Sequence, residues 1–329
     1  MEQVQRRPWR RWVVLVLLIL GFVLGGIFVP VQPEITVAPE KILEEPIVEN
    51  FLGLGPLYLV NTLPTLLVTI ILLVAVAYFT NRSLTSSAQT DLVPHGIGNL
   101  MESILEVLYN LTESSAGSKW ARTIFPWFAT ILIYVLFANL LRLLPGFESI
   151  GVLHHAHGEG HAIQPLGGGW SNILPETVED GYILAPFFRG VSVDLNFTAA
   201  LALIAVIAVQ VIGVRAQGAG YFSKFFNTRR MFKVPFFGAM DFLVGLLELI
   251  SELSRILSFA FRLFGNMFAG VVLVAVVSGL LGFFSIIPAM LFMFELFVGV
   301  IQAFVFGMLT MVFMAQATQG HGEEHAEGH

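Results

Sequence analysis

The stretch LSFAFRLFGNMFAGVVLVAVVSGLL, residues Leu257–Leu281, decides how this chain reads: it is apolar almost throughout and carries a single charge, Arg262. About 20 such residues cross a bilayer core. A charge at mid-bilayer costs about 2.5–3.5 kcal/mol on insertion scales, so an ionisable residue inside such a stretch points to function. At 100° per residue, Glu248, Glu252, Arg255, Phe259, Arg262 and Asn266 fall within about 80° of one another on a helix. One polar stripe therefore runs down an apolar helix. Beside it, Ser258, Gly265 and Ala269 are small residues that permit close approach of a partner.

Working outward, the apolar character extends over most of the 329 residues: 56% are hydrophobic and 12% charged, against roughly 25% charged in an ordinary soluble domain. Only helices and closed barrels satisfy backbone groups in hydrocarbon, and barrel strands are too short to match these runs. The expected class is an all-α polytopic membrane protein. The absence of Cys excludes disulfides, thiolate metal sites and Cys nucleophiles.

The sequence predicts about six membrane segments: Trp12–Val29, Tyr58–Thr80, Arg122–Leu144, Leu195–Val214, Pro235 to about Leu281, and Phe284 to about Ala315. The fifth is too long for an upright crossing, since Glu248 to Leu281 alone rises about 50 Å. It is either strongly tilted or broken near a glycine such as Gly279. Basic residues mark cytoplasmic flanks. Arg6, Arg7, Arg10 and Arg11 place the N-terminus inside, and Arg215, Lys224, Arg229, Arg230 and Lys233 do the same for the connection before the fifth segment. Six crossings satisfy both and put the C-terminus inside. The acidic connection with Glu34, Glu40, Glu44, Glu45 and Glu49 then lies outside, with the long loop from Gly146 to Val191.

Three parts follow: residues 1–57, an N-terminal membrane anchor or signal sequence with an outer acidic linker; 58–317, a helical membrane domain; and 318–329, a His/Glu/Gly-rich cytoplasmic tail. The first apolar run is about 18 residues, long for a signal h-region, and ends without a clear A-x-A site, which favours an uncleaved anchor. Its Gly21 and Gly25 form a G-x-x-x-G pair. Between the second and third segments, Ile97, Leu100, Met101, Ile104, Leu108 and Leu111 recur at helical spacing opposite Asn99, Glu102, Glu106, Asn110 and Glu113. This predicts an interfacial amphipathic helix docked beside other spans. On the sixth segment Glu295 and Gln302 lie two turns apart and share a face.

The run from Glu248 through Ser258, Arg262 and Asn266 to Gly270 resembles the signature helix of ATP synthase subunit a. The stretch Ile301–Thr310 resembles that family's last helix. Phe137-Ala-Asn139-Leu-Leu-Arg-Leu-Leu-Pro145 and Val193-Asp194-Leu-Asn196-Phe-Thr198 resemble two of its other spans, so the similarity covers Tyr58 to about Ala317. Two positions depart from the family pattern. Val271 stands where many members carry a channel carboxylate, leaving Glu295 as the main titratable group there. Arg142 occupies a site where a neutral or acidic residue is expected, and pairing with Asp194 would compensate it.

The resemblance implies a static proton channel in a rotary ATP synthase, built as two half-channels against a ring of c subunits. It assigns Arg262 as the essential arginine, with Ser258 and Asn266 flanking it toward the ring. Glu248, Glu252, Glu295, Gln302, Asp194 and Asn196 would belong to the proton path, and Gly265 and Ala269 to ring packing. The implied partners are the c-ring proteolipids, the b subunits of the peripheral stalk, the remaining synthase subunits and the lipid bilayer of the cell (inner) membrane, with no nucleic acid and no cofactor or metal. The chain would not be an enzyme by itself.

Electrostatics favours an arginine for that role. A carboxyl facing hydrocarbon keeps its proton, and a cation at about 4 Å with an effective dielectric near 20 is worth roughly 4 kcal/mol, enough to strip it. Guanidinium stays charged when desolvated, whereas a buried Lys can lose its proton. ATP chemistry lies elsewhere, because no G-x-x-x-x-G-K-[ST] loop occurs and Gly117-Ser-Lys119 is only a fragment of one. Two other classes compete: a secondary transporter or channel binding an anion at Arg262, which would often carry inverted repeats that are not visible, and a scaffold with no conduction. His154, His155, His157 and His161 with Glu159 in the outer loop, and His321, His325 and His329 in the tail, suit metal capture or pH sensing. Their Gly-rich setting instead favours flexible, solvated segments. His95 is read as a loop residue.

Overall fold

The computed structural model describes residues 12, 36–43, 45–50, 53, 55–90, 96–144, 147–156, 158–225, 235–281 and 286–319. Among these, five long helices follow one another: α1 (Thr62–Thr90), α2 (Ile97–Arg142), α3 (Leu195–Gln217), α4 (Pro235–Leu281) and α5 (Ile286–Thr318). Each is long and apolar enough to cross a membrane. Apart from Trp12, the expected first segment lies outside the described residues. So do the arginines ahead of it, His95, His157, residues 226–234 and the tail histidines. The chain divides into two compact units. One comprises Met1–Thr62, Leu143–Arg189 and Met267–Val298; the other comprises Leu63–Arg142, Gly190–Asn266 and Gly299–His329.

In the second unit, α2 is two helical segments joined at Gly117, whose φ of 73° and ψ of 158° interrupt the helix. Glycine alone adopts that φ without strain. The segment before the break is the expected amphipathic helix. Leu108 and Thr112 are buried, while Glu102, Glu106, Asn110 and Glu113 are exposed. Leu108 packs with Ile124 and Phe128 of α2, Ala208, Val209 and Ile212 of α3, and Met311 and Met314 of α5. Leu105, Leu111 and Trp120 close over this cluster. Leu100 and Ile104, expected on the docked face, are exposed. The apolar arc of this helix is wider than the surface it docks on.

Small residues set how closely these helices approach, because lipid tails are as apolar as Leu and provide no hydrophobic drive for association. A Cβ on Gly307 of α5 would sit 2.9 Å from Leu132 Cβ and 3.2 Å from Phe128 of α2. A Cβ on Gly213 of α3 would meet the Tyr221 ring at 2.3 Å. Tyr221 lies in the 3₁₀ turn Gly218–Lys224, which folds back on α3 so that its hydroxyl donates to Gln210 Oε1 at 2.9 Å. At the other end of α3, Asp194 caps the helix by accepting from the Asn196 N–H at 2.9 Å, as an N-cap carboxylate does.

The first unit adds a small sheet to the helices, where an all-α chain was expected. Within the predicted outer loop, β1 (Gly151–His155), β2 (Glu159–Gly167), β3 (Trp170–Glu179) and β4 (Tyr182–Pro186) form an antiparallel sheet in the order β1-β4-β2-β3. Most of its side chains are half-buried or exposed, so it lacks the strict apolar alternation by which strands are recognised. Backbone ladders hold it instead, and Gly160 and Gly181 cross so closely that a Cβ on either would lie within 2.5 Å of the other's backbone. His154 and His155 therefore sit on β1 and His161 on β2, rather than in a structureless segment. The His155 ring lies 4.3 Å from that of Tyr182.

The acidic linker is also tied down. Lys41 bridges Val60 and Val48 bridges Leu57 in antiparallel fashion. Buried Arg189 donates through Nη1 to Thr36 Oγ1 and the Ala38 carbonyl, both at 2.9 Å, and through Nη2 to the Thr36 carbonyl. Asn61 donates to Glu40 Oε2 at 3.3 Å. A charge-bearing hydrogen bond is stronger than a neutral one, so Arg189 anchors a segment with little regular structure of its own.

Of the two alternatives for the fifth segment, the break near Gly279 is excluded: α4 runs unbroken over 47 residues, about 70 Å at 1.5 Å per residue. The Gly307 contact yields a prediction. Gly307→Leu overpacks the α2–α5 seam, for which a cost of about 1–3 kcal/mol is typical. In thermal denaturation of the detergent-solubilised protein its midpoint falls by several degrees. Gly265→Ala, where an added Cβ meets nothing within 4 Å, does not lower the midpoint and raises it slightly, because Ala is the better helix former.

Candidate functional site

Helix α4 forms because its interior is Leu-, Phe- and Val-rich with Gly tolerated at intervals, and it divides its polar residues between two surfaces. On one, Glu252 is buried and accepts from Arg255 Nη1 at 2.8 Å. The Arg255 guanidinium carbon lies 4.1 Å from the centre of the Phe313 ring of α5, within cation–π range. Phe259 is buried against Phe306 and Phe313, with ring centres 5.1 and 5.8 Å away. Glu248 is half-buried. Arg255 and Phe259 thus face α5, and the charge of Arg255 is paired with Glu252.

Arg262 faces out. Its side chain is exposed, and Nη2 reaches Ser258 Oγ at 3.4 Å, one turn back. A guanidinium has five N–H donors, and that single long contact engages one. Among the described residues no carboxylate lies within salt-bridge distance of it. The surface around it is apolar or small: Leu257, Phe261 and Leu273 are exposed, as are Ser258 and Ala269. Gly265 opens onto free space.

Two polar pairs join α4 to α5. In the second unit, Asn266 Nδ2 donates to Gln302 Oε1 at 2.7 Å, with Gln302 buried at 3% exposure. In the first unit, the Glu295 side chain is buried at 5% exposure against Gly270, where a Cβ would sit 2.6 Å from Glu295 Oε1. Glu295 and Gln302 both lie on the buried face of α5, as their spacing predicts. Gly270 is the member of this site that the sequence left without a role. Its signal was available only as an absence, a residue without a side chain where a carboxyl needs room.

Asp194 and Asn196 sit together at the start of α3, Asp194 buried as the cap and Asn196 exposed. Arg142 is buried at the end of α2, against Gly190, where an added Cβ would meet Arg142 Cδ at 2.3 Å. Asn139 and Ser192, also without an assigned role, are bonded to each other at 2.7 Å. Among the described residues no three His, Asp or Glu side chains come together as a metal-binding group.

The similarity of this chain to known proteins follows the same helices. A family model described as ATP synthase A chain matches residues 63–315. Proteins named ATP synthase subunit a from Helicobacter pylori and Helicobacter acinonychis are 32% and 31% identical to it, over 247 and 242 residues, covering 73% of this chain and 85% of theirs. A protein of the same name from Gloeobacter violaceus is 30% identical over 273 residues, 83% of this chain and 89% of its own length. Matched from α1 to α5, this multi-pass membrane protein belongs to the ATP synthase subunit a family.

Proposed function

We propose that the chain forms the stationary proton path of a rotary ATP synthase, with Arg262 set against a ring of c subunits that each carry an ion-binding carboxylate. One observation carries this reading. Arg262 is a permanent cation exposed on the flank of an apolar helix, with no carboxylate in salt-bridge range among the described residues. Such a charge needs an acid from another chain. A carboxyl arriving at about 4 Å gains roughly 4 kcal/mol at an effective dielectric near 20, enough to release its proton. The small and apolar residues beside Arg262 give a passing helix a smooth surface: Ser258 and Asn266 flank the cation, and Gly265 and Ala269 allow close packing.

The remaining polar residues supply access. Glu295 on α5 and Glu248 on α4 exchange protons between the ring and the two aqueous sides, while Gln302 and the Arg255-paired Glu252 line the path as hydrogen-bonding groups. Asp194 and Asn196 stand at the outer mouth. The apolar part of α4, Phe242–Leu280, rises about 58 Å at 1.5 Å per residue and exceeds a hydrocarbon core of about 30 Å. It lies strongly inclined, which lengthens its contact with the ring. Both termini face the cytoplasm, the sheet and the acidic linker lie on the opposite side of the cell membrane, and the b subunits and other synthase chains complete the assembly. Each proton crossing 100 mV contributes about 2.3 kcal/mol, so several drive each ATP made on other subunits.

Arg262→Ala is expected to assemble and to lose coupled proton flow. Proton-driven ATP synthesis in membrane vesicles measures this, and an undiminished rate would overturn the assignment. A transporter that binds anions at Arg262 would instead show anion flux without a c-ring, so copurification of the ring with this chain separates the two readings. A second expectation concerns Arg142 and Asp194, both buried and close in the chain path through Gly190. We propose that they pair. Removing one partner of a buried pair costs about 3–5 kcal/mol, so Arg142→Asp and Asp194→Arg alone each reduce the amount of assembled complex. Together they restore it in part, the remaining deficit being that of the lost Asp194 cap on α3, which Asp194→Ala in an Arg142→Leu background measures separately; a swap that assembles no better than either single variant removes the pairing.

A further inference from the structure

Asn139 takes no part in the path proposed above, yet it is almost completely buried, at 1% exposure, in the seam between α2 and α5. Its Nδ2 donates to the Gly299 carbonyl of α5 at 3.0 Å, and its Oδ1 accepts from the Ser192 hydroxyl at 2.7 Å. The carbonyl fixes the orientation of the amide. A carbonyl only accepts, so the NH₂ must face Gly299, and the oxygen is left for a hydroxyl that donates. Ser192, itself 2% exposed, belongs to the 3₁₀ turn Val191–Val193 that leads into α3. Gly299 makes the approach possible, because a Cβ there would lie 3.2 Å from Asn139 Cβ.

In lipid no hydrophobic drive selects one helix register over the next, which leaves that selection to side-chain packing at notches such as Gly307 and to directed hydrogen bonds. A hydrogen bond to one particular carbonyl does select. Shifting α5 by a single residue moves Gly299 about 1.5 Å along the axis and turns it 100°, which leaves a buried amide without its acceptor, at about 1–3 kcal/mol. Gly299 lies three residues before Gln302 and on the same face of the helix. We infer that Asn139 is a positioning residue: by holding the Gly299 carbonyl it sets the register and rotation of α5, and thereby delivers Gln302 to Asn266. Ser192 locks the amide in that orientation. The consequence for conduction rests on the path proposed for Gln302 and Asn266; the register itself does not.

The natural absence of cysteine gives a clean test. In the assembled complex, the pair Asn266→Cys and Gln302→Cys is oxidised with copper phenanthroline and the disulfide yield is measured. Adding Asn139→Leu is expected to lower the yield about threefold to tenfold, the range for one hydrogen bond of ordinary strength. Ser192→Ala lowers it less. Asn139→Asp supplies the decisive profile. At acid pH the introduced carboxyl is protonated, donates to the Gly299 oxygen and restores the yield of the parent pair; once ionised it cannot donate, and the yield relative to that parent falls. Equal relative yields from the Leu and Asp variants at every pH would overturn the inference. If Asn139→Leu does not assemble, the Asp profile and Ser192→Ala decide. Proton-driven ATP synthesis is measured separately with Asn266 and Gln302 intact, where Asn139→Leu slows it severalfold. A cross-link that responds while synthesis does not keeps the positioning role and rejects Gln302 as part of the path. A cross-link that does not respond rejects the positioning role whatever synthesis does.

Discussion

A guanidinium on an apolar helix cannot be both permanently charged and indifferent to its surroundings, and the organisation of α4 follows from that constraint. Arg255 and Arg262 sit seven residues apart on one helix and meet it differently. Arg255 is neutralised within the chain, by Glu252 at 2.8 Å and by the face of Phe313. Arg262 has the Ser258 hydroxyl at 3.4 Å and an exposed, largely apolar surface around it. Two arginines of identical chemistry are thus sorted by their neighbours into a structural ion pair and a cation directed outward. Only the second is available to act on a partner.

The same constraint governs the neutral polar groups. An amide in a helical bundle is tolerated best where each end meets a partner: Asn139 meets that condition with Gly299 and Ser192, whereas Gln302 meets it at its oxygen alone, which accepts from Asn266 while Nε2 is buried without a partner among the described residues. Threonines meet it within a helix: Thr69, Thr112 and Thr310 each donate to the carbonyl four residues back. A hydroxyl bonded in this way needs no partner from another helix. Amides do, and for that reason they report on how helices are registered.

Much of this was legible in the sequence, for a physical reason. Long apolar runs satisfy their backbone only as helices, so α1, α3, α4 and α5 begin and end within a few residues to about ten of where hydropathy puts them. Arg262 stood out because a lone charge in such a run has few structural explanations, and its exposed position on α4 agrees with the absence, among the described residues, of a partner from its own helix neighbourhood beyond Ser258. The sheet was not legible, because its strands are stabilised by backbone pairing between Gly- and His-rich segments whose side chains show no apolar alternation. Nor was the division of the α4 stripe between two surfaces. Helical periodicity places Glu252, Phe259 and Arg262 within one arc, but which edge of that arc α5 covers depends on contacts made by Phe306 and Phe313, half a helix away in a different element.

Glycine was the least legible residue, although several close contacts depend on it. A chain with 31 glycines offers many chance G-x-x-x-G spacings, so pattern alone does not say which matter. The structure separates them by what stands opposite. Gly307 receives Leu132 and Phe128, Gly299 receives Asn139, and Gly270 receives the Glu295 carboxyl. Gly265, one turn from Arg262, receives nothing from this chain. Three of these glycines are notches filled from within. The fourth is an unfilled notch beside an outward-facing cation, which is the room that the proposed approach of a carboxylate-bearing helix from another chain would need.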